Sequence, residues 1–406
     1  MEKAIPSEKQ LRFLDWELGA FFHFGLRAYY KGYVDWDKRD MDQSVFNPTE
    51  LNCEEWLQPF KDAGASYAIL VCKHHDGFAN WPSKYSDYSV AHTPWKEGKG
   101  DIVREFTDAC RKLGLKVGLY YSPAQRDWSK YKTKRDYDDY FIGQVSELLT
   151  DYGKIDYLWF DGCGSEDHEY DQARIINVMR SLQPDMLIFN MWDPDVRWVG
   201  NEEGIAPSPH TNVVHDLAFS VMTDKKDDLG GFRFMPAECD MKLRSTWFDC
   251  EDNEDTLVSL DELIGLYYMS VGRGANLLIN AGPNKHGLLQ EADKKRIQEF
   301  GAELKRRFST PVPFGAPYED EDGNYTISAD CGLPVNTVII QEDLLEGESI
   351  RHFEILTDNT AVYTGSTIGH KCICTFPTVK TKNIRIRVTD TNGAYTLKSL
   401  NAYYIQ

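Results

Sequence analysis

The chain has 406 residues, 42% of them apolar and 27% charged, and carries a formal net charge of −19. A length of this order suggests two or three domains of roughly 150 residues and a sizeable core. So acidic a surface repels phosphate backbones and anionic lipid, which argues against nucleic acid and membrane as partners and favours a neutral ligand.

Taken in chain order, the N-terminus (MEKAIPSEKQLRFLDWELGAFFHFG) lacks the apolar stretch and small-residue cleavage site of a secretory signal. A cytoplasmic protein is expected, or a secreted or periplasmic one should a leader have been removed. Short apolar runs then alternate with amphipathic stretches: GAFFHF at 19–24, YAILVC at 67–72, KVGLYY at 116–121, DYLWF at 156–160, MLIFN at 186–190 and NLLIN at 276–280. Near-continuous apolar runs of this length suit strands covered on both faces, as in parallel sheets. Between them, 53–64 ends in a capping glycine, 101–114 opens on an aspartate and closes on glycine, and 138–153 and 260–272 look similar, all as helices do. Strand–helix alternation over residues 1–310 predicts a (β/α)8-type barrel or a doubly wound sheet. The absence of GxGxxG and GxxxxGK[ST] weakens the nucleotide-binding versions.

At STPVPFGAP (309–317) the composition changes. Short alternating runs follow at 336–341, 352–356, 371–376 and 383–388, separated by Asp, Asn and Gly, which predicts a C-terminal antiparallel β-sandwich over 311–406. Nine scattered cysteines with no CxxC pair argue against a disulfide framework and against a metal site; Cys372 and Cys374 would share a strand face as reduced thiols. The sequence leaves a homo-oligomer open.

The chemistry gathers where the early strands end. The first run ends near His23, the second in His74, His75 and Asp76, the third in Tyr121, Ser122 and Pro123, and the fourth in WFDG, with Trp159 and Asp161. In (β/α)8 enzymes the carboxyl ends of the strands form the active face. Singly, a strand-end His or an Asp-Gly pair is ordinary structure; together they suit a pocket for a polyhydroxylated ligand. Neighbouring strand residues face opposite ways, so His74 and His75 can share a pocket only if the strand turns there, which Asp76-Gly77 permits.

FFHFG (21–25), FNPTEL (46–51), KHHDGF (73–78), GLYYS (118–122), WFDG (159–162), SVGR (270–273) and NLLINAGP (276–283), in this order, resemble the α-L-fucosidases of glycoside hydrolase family 29. The likeness extends to the tail, at VNTVIIQED (335–343) and STIGH (366–370). It implies a retaining exo-α-L-fucosidase, with fucosylated oligosaccharides as substrates and no cofactor. Asp161 corresponds to the nucleophile. Two glutamates compete for the acid/base role: Glu202, on a loop (195–204) resembling that of the subgroup acting on branched α-1,3/1,4-fucosides, and Glu238, in FMPAECDMKLR (234–244). Glu202 is favoured. The likeness further implies His23, His74, His75, Tyr121, Trp159, Arg244 and Trp247 as sugar-binding residues. Asp35 and Trp36 stand where relatives carry Glu-Trp, and SPAQR (122–126) where relatives often carry Trp and Asp after Ser-Pro. The shorter Asp35 leaves open a related retaining glycosidase for another galacto-configured or 6-deoxy sugar. An inactive, carbohydrate-binding barrel is the third reading.

Overall fold

The computed structural model describes residues 3–32, 39–124 and 130–406. After a capped N-terminal helix, α1 (Glu8–Leu14), the chain lays down β1 (Leu18–Phe22), β2 (Tyr67–Lys73), β3 (Lys116–Tyr121), β4 (Tyr157–Phe160), β5 (Leu187–Phe189) and β6 (Arg197–Trp198). A hairpin, β7 (Val213–Ser220) and β8 (Thr223–Phe234), precedes β9 (Ala237–Lys242) and β10 (Asn276–Asn280). Setting the hairpin aside, the other eight strands form one parallel sheet in chain order, with β10 returning to pair with β1. A parallel bridge from Phe189 to Val196 brings β5 to the segment entering β6 and all but closes the ring. The barrel alternative is the one the chain adopts.

Helices α2 (Cys53–Asp62), α3 (Ile102–Leu113), α4 (Lys134–Asp151), α5 (Gln172–Leu182), α6 (Leu260–Met269) and α7 (Glu291–Phe308) lie outside. Their limits follow local chemistry. Asp101 accepts the backbone N–H of Arg104 at 2.9 Å to start α3, and Gly114, at φ 68°, ends it in the left-handed region that suits glycine. Outward strand residues such as Phe22 pack on Trp56, Phe60 and Phe106 of these helices. Inward residues, among them Phe21, Tyr67, Ile69, Tyr120, Tyr157, Trp159 and Leu278, fill the barrel in a separate core.

Two connections break the helical pattern. β5 reaches β6 through the short loop 190–196, and β6 reaches β9 through the β7–β8 hairpin. The strands β6 and β9 went unpredicted. β9, AECDMK, turns Glu238, Asp240 and Lys242 to one face, so its interior residues are charged and no apolar run marks it.

Beyond α7 the chain forms β11 (Tyr318–Glu319), β12 (Tyr325–Glu342), β13 (Ile350–Thr357), β14 (Thr360–Gly365), β15 (Cys372–Thr391) and β16 (Leu397–Tyr403). All six belong to one antiparallel sheet. Register shifts along β12 let the two longest strands bend so that the sheet wraps a core including Ile327, Val338, Ile340, Phe353 and Ile386. This domain is tied to the barrel by Glu348, which accepts from the Asn212 side chain at 3.0 Å, and by the Lys371–Glu17 ion pair. No helix among the described residues is long and apolar enough to cross a membrane.

Candidate active site

A pocket of about 550 Å³ opens at the carboxyl ends of the barrel strands, lined by His23, His74, His75, Tyr120, Trp159, Asp161, Asn190, Trp198, Glu202, Asp240 and Trp247 among others. The loop after β2 explains how adjacent histidines share it. β2 shifts register against β3 near Lys73, then turns: the N–H of Gly77 donates to the His74 carbonyl at 3.0 Å, and Asp76 accepts from the N–H of Phe78 at 2.8 Å. Both imidazoles thereby reach the cavity.

Asp161, two residues beyond Trp159 on the same face of β4, is a quarter exposed at 25%. The hydroxyl of Tyr120 donates to its Oδ2 at 2.8 Å and the N–H of Cys163 to its Oδ1 at 2.9 Å, which fix the orientation of the carboxylate. His75 Nε2 lies 3.4 Å from Oδ2. The other ring nitrogen, Nδ1, meets the Ser122 hydroxyl at 2.6 Å. Ser122 is fully buried and its oxygen already accepts the N–H of Ala124 at 3.1 Å. With its hydroxyl proton given to Nδ1, the ring carries an N–H on Nε2, facing Asp161.

His23 is fixed by a similar argument. Asn280 donates its amide to the Trp247 carbonyl at 2.8 Å, so the amide oxygen accepts from His23 Nδ1 at 2.7 Å. Nε2 then carries the lone pair that a sugar hydroxyl can use. Burial pushes the His23 pKa down to about 3 and that of His74 well below the usual imidazole range, which keeps both rings neutral at working pH. Neutral imidazoles offer one donor and one acceptor each, as a hydroxyl-rich ligand requires. Trp247 lies 4.9 Å from the His23 ring, and Trp159 stacks on Phe189 at 4.0 Å, giving the cavity aromatic walls.

The opposite side carries the remaining carboxyl groups. Glu202, on the loop after β6, pairs with Lys242 at 3.0 Å, and the Lys242 ammonium lies over the Trp247 ring at 4.7 Å. Asp240 accepts from the indole N–H of Trp198 at 2.8 Å; burial, with the Glu202 charge beside it, pushes its pKa well above the usual carboxylate range.

Several expected residues lie elsewhere. Glu238 is on the inward face of β9 but two residues deeper than Asp240, roughly 6–7 Å down the strand. It is fully buried and accepts from Tyr67, Trp159 and Tyr157 at 2.5, 2.7 and 3.2 Å, beneath the pocket and out of reach of a leaving oxygen. Tyr121 faces outward, where its hydroxyl donates to Gln144 at 2.7 Å; strand alternation gives the pocket position to Tyr120. Arg244 turns away into a buried pair with Asp293 at 2.6 Å and the carbonyls of Asn253 and Glu254. Asp35 and Trp36 lie outside the described residues, as do Gln125 and Arg126. Sequence reading missed Tyr120, Asn190, Trp198, Asp240 and Lys242. Only Tyr120 had a signal, in the alternation of GLYYS, but a strand covered on both faces does not reveal which parity points inward.

Among the described residues, His75, Asp161 and Cys163 place potential metal-ligand atoms within 4.8 Å of one another. An ion held there would occupy the carboxylate that the resemblance assigns to attack, so the donor set suits an inhibitory cation better than a working one.

Carboxyl groups on two sides of a closed pocket, neutral imidazoles and aromatic walls at the carboxyl rim of a (β/α)8-type barrel make up a site of the glycoside hydrolase kind. The sequence model of the family described as Alpha-L-fucosidase matches residues 3–307, and the chain belongs to that family. It is 38% identical over 313 residues to Alpha-L-fucosidase 1 of Arabidopsis thaliana, a stretch covering 74% of this chain and 60% of that protein's length. A glycoside hydrolase 29 family member from an unknown rumen bacterium superposes with a TM-score of 0.89 at 31% identity over 99% of this chain and 77% of that one. SpGH29 superposes with a TM-score of 0.90 at 28% identity, covering 100% of this chain and 99% of that one.

Proposed function

We propose that this chain hydrolyses terminal α-linked L-fucose from oligosaccharides or glycoconjugates with retention of configuration. The observation that carries this reading is Asp161: it stands at the end of β4, held by Tyr120 and Cys163, in the same cavity as His23, His74, His75 and Glu202. In this reading the Asp161 carboxylate attacks the anomeric carbon, forming a glycosyl ester as the leaving oxygen takes a proton from Glu202. Glu202 then removes a proton from the water that cleaves the ester. His23, His74 and His75 bind ring hydroxyls, and the tryptophan faces receive the apolar edge of a deoxysugar.

We further place the chain in the subgroup acting on branched α-1,3/1,4-fucosides. The likeness of loop 195–204 supports this, together with the presence of Glu202 in the pocket lining. Hydrolysis of an aryl α-L-fucoside, followed by NMR of the first-formed sugar, tests the reaction: the α-anomer is expected first. Release of the β-anomer would overturn retention, and turnover of an aryl galactoside in preference to the fucoside would favour the other galacto-configured sugar. Comparison of Lewis-type trisaccharides with 2-linked fucosides tests the subgroup, with faster release from the former expected.

A further inference from the structure

Beside the pocket lies a second depression of about 1140 Å³, bounded by the loop after β4, the loop after β5 and the β7–β8 hairpin. Asn190 and Phe219 line both cavities, so the two lie side by side. The hairpin is seated firmly against the loop that carries Asp161: a side chain at Gly162 would come within 2.8 Å of the Phe219 carbonyl, so only glycine allows the approach. A group bonded to a sugar in the pocket and directed past Asn190 and Phe219 would meet that groove.

The groove is a built surface. Trp192 and Asn190 hold φ values of 60° and 61°, a left-handed conformation that costs free energy for residues other than glycine and persists where the surroundings enforce it. The Trp192 ring is enforced by Phe160 at 4.7 Å and Tyr170 at 5.3 Å. Tyr170 in turn packs on His168, whose Nε2 lies 2.9 Å from Asp138. Two rigid aromatic rings thus wall the groove. Its charge is one-sided: five carboxylates (Glu166, Asp167, Glu169, Asp227 and Asp228) share it with Lys225. Lys134 pairs with Glu169 at 2.6 Å, and Lys225, over the Phe219 ring at 4.2 Å, also faces Asp227, so carboxylates still outnumber the cations along the groove.

We infer that this groove receives the leaving-group sugar and selects it by charge: the chain acts on fucosides of neutral sugars and rejects those whose neighbouring sugar carries a sulfate or a sialic acid. The inference rests on the reading of the pocket given above. Charges several ångströms apart in water interact weakly in pairs, but an anion facing several carboxylates at once accumulates the effect to about tenfold in rate at low salt, and salt screens it.

The test compares kcat/KM for an aryl fucoside, a neutral fucosylated trisaccharide and the same trisaccharide bearing a sulfate on the sugar next to fucose. At about 20 mM salt the neutral trisaccharide is expected to outpace the sulfated one about tenfold, a gap that narrows to about threefold at roughly 500 mM salt. The Asp227→Asn/Asp228→Asn double variant should narrow it likewise at low salt. Trp192→Ala should lower kcat/KM for the neutral trisaccharide more than for the aryl fucoside. Equal rates on the two trisaccharides at low salt would overturn the inference. So would a gap that neither salt nor the double variant changes, because exclusion would then be steric. Absence of turnover on the aryl fucoside itself would instead bring down the reading of the pocket.

Discussion

The two sides of the barrel rim are built from different kinds of strand. On one side β1 to β4 are largely apolar and turn their pocket-facing polar groups out where they end, at His23, His74, His75 and Asp161. On the other side β6 and β9 carry polar groups along the strand itself: Arg197 and Trp198, then Glu238, Asp240 and Lys242. The first side places groups rigidly on a dry core. The second needs internal partners for each polar group, and finds them in Tyr67, Tyr157 and Trp159 for Glu238 and in Trp198 for Asp240. In the proposed reaction the first side grips and attacks, and the second handles the proton.

The sharpest way to break this division is to remove the attacking group. Asp161→Asn is expected to lower kcat on an aryl fucoside at least about a thousandfold, as loss of a nucleophile does, while the melting temperature stays close to that of the parent. Azide should separate the two sides. With Asp161→Gly it replaces the missing nucleophile and gives the β-azide; with Glu202→Ala it attacks the glycosyl ester and gives the α-azide. The Glu202→Ala variant should lose about a hundredfold in kcat before azide is added, in the range general acid–base catalysis contributes. An α-azide from Asp240→Ala and none from Glu202→Ala would move the proton-transfer role one strand inward. That outcome is a real alternative, because Asp240 lines the pocket and burial keeps its proton in place.

The same contrast explains what could be read from the sequence. The runs over 116–121 and 276–280 coincide with β3 and β10, and those over 19–24, 67–72, 156–160 and 186–190 fall within a residue or two of their strands. Each is apolar on both faces, so hydrophobicity alone reveals it. β6 is two residues long and the inward face of β9 is charged, so neither leaves such a mark. His23, His74, His75, Trp159 and Trp247, named from resemblance, all line the pocket with Asp161. Arg244 and Tyr121 do not, because a motif match gives position along the chain but not the direction of the side chain. Arg244 is decided by a partner 49 residues away, Asp293, and Tyr121 by strand parity.

A smaller effect sharpens the comparison through stability. Burial raises the Glu238 carboxyl from its ordinary 4.5 to about 7, burial outweighing its three hydrogen-bond donors. Between those two values the folded chain holds a proton that the unfolded chain has released. Its contribution is therefore full below pH 4.5 and falls as pH rises to about 7, by on the order of 3 kcal/mol at 1.36 kcal/mol per unit. Glu238→Gln cannot ionise, so its unfolding free energy should gain on that of the parent across this window. Denaturant melts at pH 5 and pH 7.5 check it; parallel pH dependence in the two proteins would show that Glu238 does not titrate there.

The smallest expected effect lies on the attacking side, where the Ser122 hydroxyl meets Nδ1 of His75 at 2.6 Å. Removing this hydroxyl in Ser122→Ala deletes two buried hydrogen bonds, with His75 Nδ1 and from the Ala124 N–H, about 2 kcal/mol together, and leaves the ring free to carry its proton on either nitrogen. The fold should tolerate this, since the Lys73 ammonium still ties the strand ends together through the Ser122 and Ala124 carbonyls at 2.7 and 2.8 Å. A fall in kcat of about fivefold is expected, with KM for an aryl fucoside little changed if Nε2–H acts on the attacking carboxylate in the transition state. If KM rises while kcat holds, His75 serves the bound sugar instead, and its proton direction matters for grip alone. Ser122→Thr, which keeps the hydroxyl, should restore most of the lost rate; failure to do so would trace the loss to packing around the β3 end and not to the proton on His75.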